Sequence, residues 1–254
     1  MNQIPAIQAT SLSAVFATDN GGLRALGSIS FAVWSQEFVC VLGPSGSGKS
    51  TLLRILAGLL VPTHGEVMFE GQPLQGPRRR TGIVFQKANL MPWRDVLSNI
   101  TLPLEINAVP RRDSLARAQE MVELVGLQGF EHTLPRDLSG GMAQRVAMAR
   151  ALIHDPDVLL LDEPFGALDA LTRERMGSEL LRIWQARRTT VVMVTHSIPE
   201  ALFLADRVIV LSQRPGQIRL ELQVSLPRPR LDAMRYTPEF GEMVRQVRSA
   251  IGES

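Results

Sequence analysis

The sequence predicts an α/β fold with a mainly parallel sheet, an antiparallel β subdomain near its N-terminus and an inserted α-helical subdomain. Three observations carry that expectation. Short continuous apolar runs (FVCVL, VLLL, VVMVT and RVIVL) have the character of strands buried on both faces. Helical stretches separate them, the alternation that builds a parallel sheet covered by helices. Between FVCVL and the helix TLLRILAGL lies a glycine-rich turn, GPSGSGKST.

Each element follows from its local pattern. Up to Val33 apolar and polar residues alternate around Gly21-Gly22, which predicts paired antiparallel strands. EVMFE and TGIVF read as further strands, with GQPL as a turn between them. Residues 90–134 show no strand pattern, and Asp113 is expected to cap the helix SLARAQEMVELV. The parent pattern resumes with the helix MAQRVAMARALI, the strand VLLL and the helix ALTRERMGSELLRIWQAR. VVMVT, a short helix and RVIVL follow. LPRPR (226–230) reads as an exposed extended segment, and a last helix is expected from Pro238. The expected division is a first core part with the antiparallel subdomain (1–89) and a helical subdomain (90–137, its last helix running to about 154). A second core part (155–213) and a C-terminal extension (214–254) complete it.

Bulk properties narrow the class. A net charge of +2 does not call for a nucleic-acid surface, and no nucleic-acid partner is expected. Arg78-Arg79-Arg80, with no aromatic interleaved, reads as a solvated face. The densest apolar stretch, LLRILAGLLVP, is broken by Arg54 and falls short of the ~20 residues a spanning helix needs. MNQIPAIQAT has neither the basic start nor the apolar core of a signal peptide, so the cytosolic side is expected. The single cysteine, Cys40, sits inside FVCVL and reads as a buried core thiol.

The chemistry begins at GPSGSGKST, which matches G-x-x-x-x-G-K-[ST]. Gly43, Pro44, Ser45, Gly46, Ser47, Gly48, Lys49, Ser50 and Thr51 are the expected ATP-binding loop. Its glycines let successive N–H groups face one anion at the start of a helix, where the helix dipole adds partial positive charge. Lys49 can reach the β- and γ-phosphates, and the Ser50 hydroxyl can coordinate Mg²⁺. VLLLDEP places Asp162 and Glu163 at the C-terminal end of a buried strand, where α/β sheets bind ligands. Asp162 is expected to hold Mg²⁺ through its water shell, and Glu163 to polarise the attacking water.

Gln86 closing TGIVFQ, the stretch LSGGMAQR, FGALD (165–169) and His196 closing VVMVTH stand in order with these two motifs. Together they resemble the ATP-binding subunits of ABC transporters over nearly the whole chain, a P-loop NTPase fold. The resemblance implies that Gln86 touches Mg²⁺ or the water and reports occupancy to the helical subdomain. It implies that His196 hydrogen-bonds the γ-phosphate, which places Glu163, His196, Lys49 and Gln86 in the catalytic set. Ser139, Gly140, Gly141 and Asp169 would act in trans on ATP held by a second copy. Phe16 occupies the place where the family stacks an aromatic on adenine; otherwise it is core.

A finer resemblance, in FQKANLMPWRDVLSNI, RPGQI and LPRPR, is to importers of nitrate, sulfonate, taurine and pyrimidine precursors. It implies polytopic membrane permease subunits, indirectly a solute-binding protein, and a peripheral position on the cytoplasmic face of the inner membrane. Leu90, Met91 and Trp93 are expected to border the groove for a membrane-subunit helix, unless Trp93 packs inside the helical subdomain. The alternative function is a soluble or division-linked ABC ATPase acting as a mechanical transducer. A long coiled-coil insertion or a second set of motifs, as in DNA-repair or translation members, is not present in the sequence.

Overall fold

The computed structural model describes residues 4–18, 21–166 and 168–252. Ala167, within the FGALD stretch, lies outside the described residues. In chain order the first elements are β1 (Ile7–Thr18), β2 (Gly21–Val33), β3 (Phe38–Leu42), α1 (Lys49–Leu56) and β4 (His64–Phe69). Next come β5 (Gln72–Pro73), β6 (Thr81–Val84), α2 (Val96–Ile106), α3 (Arg111–Leu124) and α4 (Gly140–Leu152). Then follow β7 (Val158–Asp162), α5 (Ala170–Arg187), β8 (Thr190–Thr195), α6 (Ile198–Leu204), β9 (Arg207–Leu211), β10 (Ile218–Gln223) and α7 (Pro238–Ile251).

The chain divides into two compact units, one of Met1–Arg78 with Thr189–Ser254, the other of Arg79–Arg188. In the first, β2, β1, β4 and β5 form an antiparallel sheet in that order. Residues 72–73 belong to that sheet, so GQPL is not a simple turn. Gln72 and Pro73 pair with Phe69 and Met68, and the chain reverses at Glu70-Gly71. The same unit runs β8, β3 and β9 parallel, with β10 antiparallel at the outer side of β9. Every residue of β3, β8 and β9 is buried, which is why these runs carry no alternation. The sequence predicts no strand at β10, whose apolar residues Ile218, Leu220 and Leu222 are half-buried and alternate with exposed polar ones.

Two helix starts in this unit, those of α6 and α7, are set by the hydroxyl caps Ser197 and Thr237. Thr237 accepts a hydrogen bond from Phe240 N at 3.3 Å and opens α7, whose Phe240, Met243 and Val247 form its buried stripe. The arginines of LPRPR are not an exposed, unattached segment. Arg228 donates to Asp206 and to Leu204 O at 2.7 Å, and Arg230 donates to Ala205 O at 3.0 Å. They therefore cover the last carbonyls of α6, groups a helix end otherwise leaves without partners. Arg230 is buried, and that burial, with Arg228 beside it, pushes its pKa down to about 10.

In the second unit β6 and β7 pair in parallel, and α2, α3, α4 and α5 complete it. Asp95 caps α2 by accepting from Ser98 N at 2.8 Å, and Pro103 lies within that helix. Asp113 is not the cap of α3. Pro110 precedes the helix, and Asp113 sits in its first turn, where a carboxylate faces the positive end of the helix dipole. Of the basic triplet, Arg80 is largely exposed and pairs with Asp157 at 2.6 Å; Arg78 lies over the Phe69 ring. No helix among the described residues is long and apolar enough to cross a membrane.

Cys40 is fully buried in β3, and burial, with Glu200 and Asp206 adding to it, pushes its thiol well above the ordinary range. Thiolate is the reactive form, so the native chain should resist alkylation. With iodoacetamide at pH 8, mass spectrometry should find no adduct on the native protein and full labelling in denaturant. Equal labelling rates would place Cys40 outside the core.

Candidate functional site

In the first unit the turn after β3 leads directly into α1. Gly48 precedes that helix in the left-handed region (φ 92°) and gives it no side-chain cap, so the first amides of α1 carry none from that position. A Cβ at Gly48 would lie 2.6 Å from Leu26 Cδ2 and 2.8 Å from Ala25 O, so only glycine fits this passage. Lys49 curls back over the loop, its Nζ donating to Gly43 O at 2.8 Å and Pro44 O at 3.0 Å. The ammonium thus already sits above the loop that the sequence marks as a phosphate cradle. Ser47 is fully buried, its N–H donating to Pro44 O at 3.2 Å.

His196 follows β8 and is exposed. A compact set of hydrogen bonds holds its turn. Thr195 Oγ1 donates to Glu200 and accepts from Ser197 N, and Ser197 Oγ accepts from Glu200 N. The S-x-x-E pattern of residues 197–200 is the capping-box signature, with Thr195 inserted into the reciprocal bond. Thr195 and Glu200 were not singled out from the sequence, although this spacing was the signal available. Phe16 lies on β1 opposite Leu23 and is 38% exposed, so the core alternative does not hold.

In the second unit Asp162 is the buried last residue of β7. Glu163 follows at φ 43°, a backbone conformation unusual for a non-glycine residue and one that clusters at functional sites. Its carbonyl accepts from Gly166 N at 3.0 Å, and its Oε2 faces Gln86 Nε2 at 3.4 Å. The structure therefore brings Gln86 and Glu163 together. Two residues of α4 hold the segment around Gln86: Gln144 donates to Phe85 O at 3.3 Å, and Arg150 donates to Ala88 O and Asn89 O at 2.8 and 3.0 Å.

The same helix α4 opens with the LSGG stretch. Ser139 caps it, accepting from Met142 N at 3.3 Å, and both Ser139 and Gly140 are exposed while Gly141 is buried. Asp169 caps α5, accepting from Thr172 N at 3.0 Å. Hydrogen bonds from Thr172 hold its carboxyl below the usual range. Leu90 and Met91 are half-buried, whereas Trp93 is 74% exposed, so the reading that it packs inside the helical subdomain fails. Asn99 explains that exposure. It is fully buried and bonds Met91 N, Met91 O, Arg94 O and Asp95 O, fixing a turn with Trp93 on its outer side.

A family model described as ABC transporter matches residues 26–166. An ABC transporter ATP-binding protein of Methanocaldococcus jannaschii, itself uncharacterised, is 48% identical over 88% of this chain and 84% of its own. The nitrate import ATP-binding protein of Synechocystis is 43% identical, covering 96% and 94% respectively. An aliphatic sulfonates import ATP-binding protein of Bacillus cereus is 44% identical over 95% and 94%. Among solved structures, an ATP-binding cassette in a dimeric post-hydrolysis state with ADP and Pi superposes with a TM-score of 0.77. It is 32% identical, over 87% of this chain and 100% of that one. A phosphate-type loop before a bare helix start, a buried strand ending in Asp162-Glu163 and these matches lead to one conclusion: the chain belongs to the ABC transporter family as an ATP-binding, ATPase subunit homologous to the nitrate- and sulfonate-type importer ATPases.

Proposed function

We propose that two copies of this subunit close head to tail on two ATP molecules and power solute import through separate membrane subunits. The observation that carries this reading is that the chain has two helix starts suited to phosphate. One is α1, which follows the glycine loop; the other is α4, where Ser139 and Gly140 stand exposed. A helix N-terminus favours an anion; the loop before α1 already gives each copy one such start, which leaves the exposed start at Ser139 for a nucleotide held by a second copy. In this reading Ser139, Gly140 and Gly141, with Asp169 beside them, complete the partner's site. The dimeric state of the solved cassette that superposes on this chain supports it.

Residues 43–51 bind the phosphates through backbone amides, with Lys49 neutralising the β- and γ-phosphates. Lys49 then exchanges its bonds to Gly43 O and Pro44 O for phosphate oxygens. Phe16, exposed on β1, stacks on adenine. Glu163 polarises water, and Gln86 at 3.4 Å orients its carboxylate; His196 hydrogen-bonds the γ-phosphate from its braced turn. Ser50, Gln86 and Asp162 offer the hard oxygen donors Mg²⁺ takes beside phosphate oxygens and waters, and the ion would screen phosphate charge. Leu90, Met91 and exposed Trp93 receive a helix of a polytopic permease, which places the subunit peripherally on the cytoplasmic face of the membrane. The names of the nitrate and aliphatic sulfonate relatives support import of a small oxyanionic solute; a separate solute-binding protein delivers it in this reading.

Glu163→Gln should keep ATP binding and lose roughly 10²-fold or more of turnover, the scale of general-base catalysis. A phosphate-release assay at saturating ATP reads this, and full turnover would remove Glu163 from the role. In that background sedimentation should show ATP-dependent dimers. Adding Ser139→Arg should abolish the dimers while fluorescent-nucleotide binding per chain stays intact. Dimers that survive the arginine would contradict the two-copy site.

A further inference from the structure

The RPGQI stretch has no part in the chemistry described so far, yet it lies against the phosphate loop within one unit. Residues 212–217 turn from β9 into β10. Ser212 Oγ donates to Pro215 O at 3.1 Å and accepts from Gln217 N at 3.0 Å, closing the turn on itself. Gly216 then joins it to β2: its N–H donates to Ala25 O and its carbonyl accepts from Gly27 N, both at 2.9 Å. It passes so close beneath the loop that a Cβ there would lie 2.1 Å from Ser47 O. On the same loop, Arg214 Nε donates to Gly46 O at 3.2 Å, and a Cβ at Gly46 would meet Arg214 Nη2 at 2.9 Å.

From this geometry we infer that the β9–β10 turn is a wall of the phosphate cradle and that Arg214 is a positioning residue for nucleotide binding. The inference rests on the reading that residues 43–51 hold the nucleotide phosphates. A loop that offers amides to an anion must keep its carbonyls turned away, because an inward carbonyl dipole opposes the ligand's charge. Arg214 holds the Gly46 carbonyl by a charge-assisted hydrogen bond, so the loop meets the nucleotide already arranged. Acting on the backbone rather than on one phosphate, it favours ATP and ADP alike.

The test is nucleotide affinity of the full chain carrying Arg214→Met, which keeps the aliphatic stem and removes the donor. Dissociation constants for ATP and ADP should rise together, roughly three- to tenfold, the scale of one hydrogen bond to a backbone carbonyl. KM for ATP should rise in parallel while kcat and the thermal unfolding midpoint stay near wild type. Arg214→Lys, which keeps a cationic donor, should recover part of the loss. Unchanged affinity overturns the inference. So does a loss confined to ATP, which would put the guanidinium on the γ-phosphate, and so does a midpoint that falls in step with affinity, the mark of a packing role. Lys49→Ala measured alongside separates the two readings: if it leaves binding unchanged, the cradle assignment fails. If it weakens binding while Arg214→Met does not, only the role of Arg214 fails.

Discussion

The crowding around the backbone between β3 and α1 sets the terms for the first unit. Gly48 lies against Leu26 and the Ala25 carbonyl of β2, and Ser47 lies over Gly216 of the β9–β10 turn. Each approach is too close for a side chain on the glycine, so residues distant in sequence dictate the path of the loop. Interiors at crystal-like density do not adjust cheaply to an added methyl group. The loop is consequently shaped by the antiparallel sheet and the outer β-hairpin before any nucleotide arrives, and the amides that open α1 are left uncapped by Gly48.

The second unit follows a related design with different materials. Glu163 is held in a strained backbone conformation at the end of a fully buried strand, and Gln86 faces its carboxylate. The segment around Gln86 is tied to α4 by Gln144 and Arg150, and Ser139 caps α4. The segment carrying Gln86 and the helix start at Ser139 are thus tied to one helix. A buried asparagine, Asn99, does the same for the turn carrying Trp93. Short loops held by buried polar side chains are specific because each bond, if lost, leaves a buried group without a partner.

Much of this was legible in the residues. Continuous apolar runs marked β3, β7, β8 and β9, because a strand covered on both faces must be apolar throughout. The glycine loop and the Asp162-Glu163 pair announced themselves by spacing. What escaped was held by tertiary partners instead of local pattern. β10 is half-exposed and forms against β9, and Gln72-Pro73 becomes a strand only by pairing with β4. The arginines of 226–230 look solvated because their partners, the carbonyls closing α6, are backbone atoms 24 and 25 positions earlier. Arg214 was invisible for the same reason: its contact is the Gly46 carbonyl, 168 positions earlier.

In this reading, packing from β2 and the β9–β10 turn prearranges the phosphate loop. Gly216→Ala tests it, since the added methyl would lie 2.1 Å from Ser47 O and so push on the backbone of the loop itself while leaving every side chain of the loop in place. Equilibrium ATP binding by the variant, with its fold checked by circular dichroism, should weaken by about tenfold or more, the consequence of displacing the loop by about an ångström. Wild-type affinity in a folded Gly216→Ala protein would contradict the account.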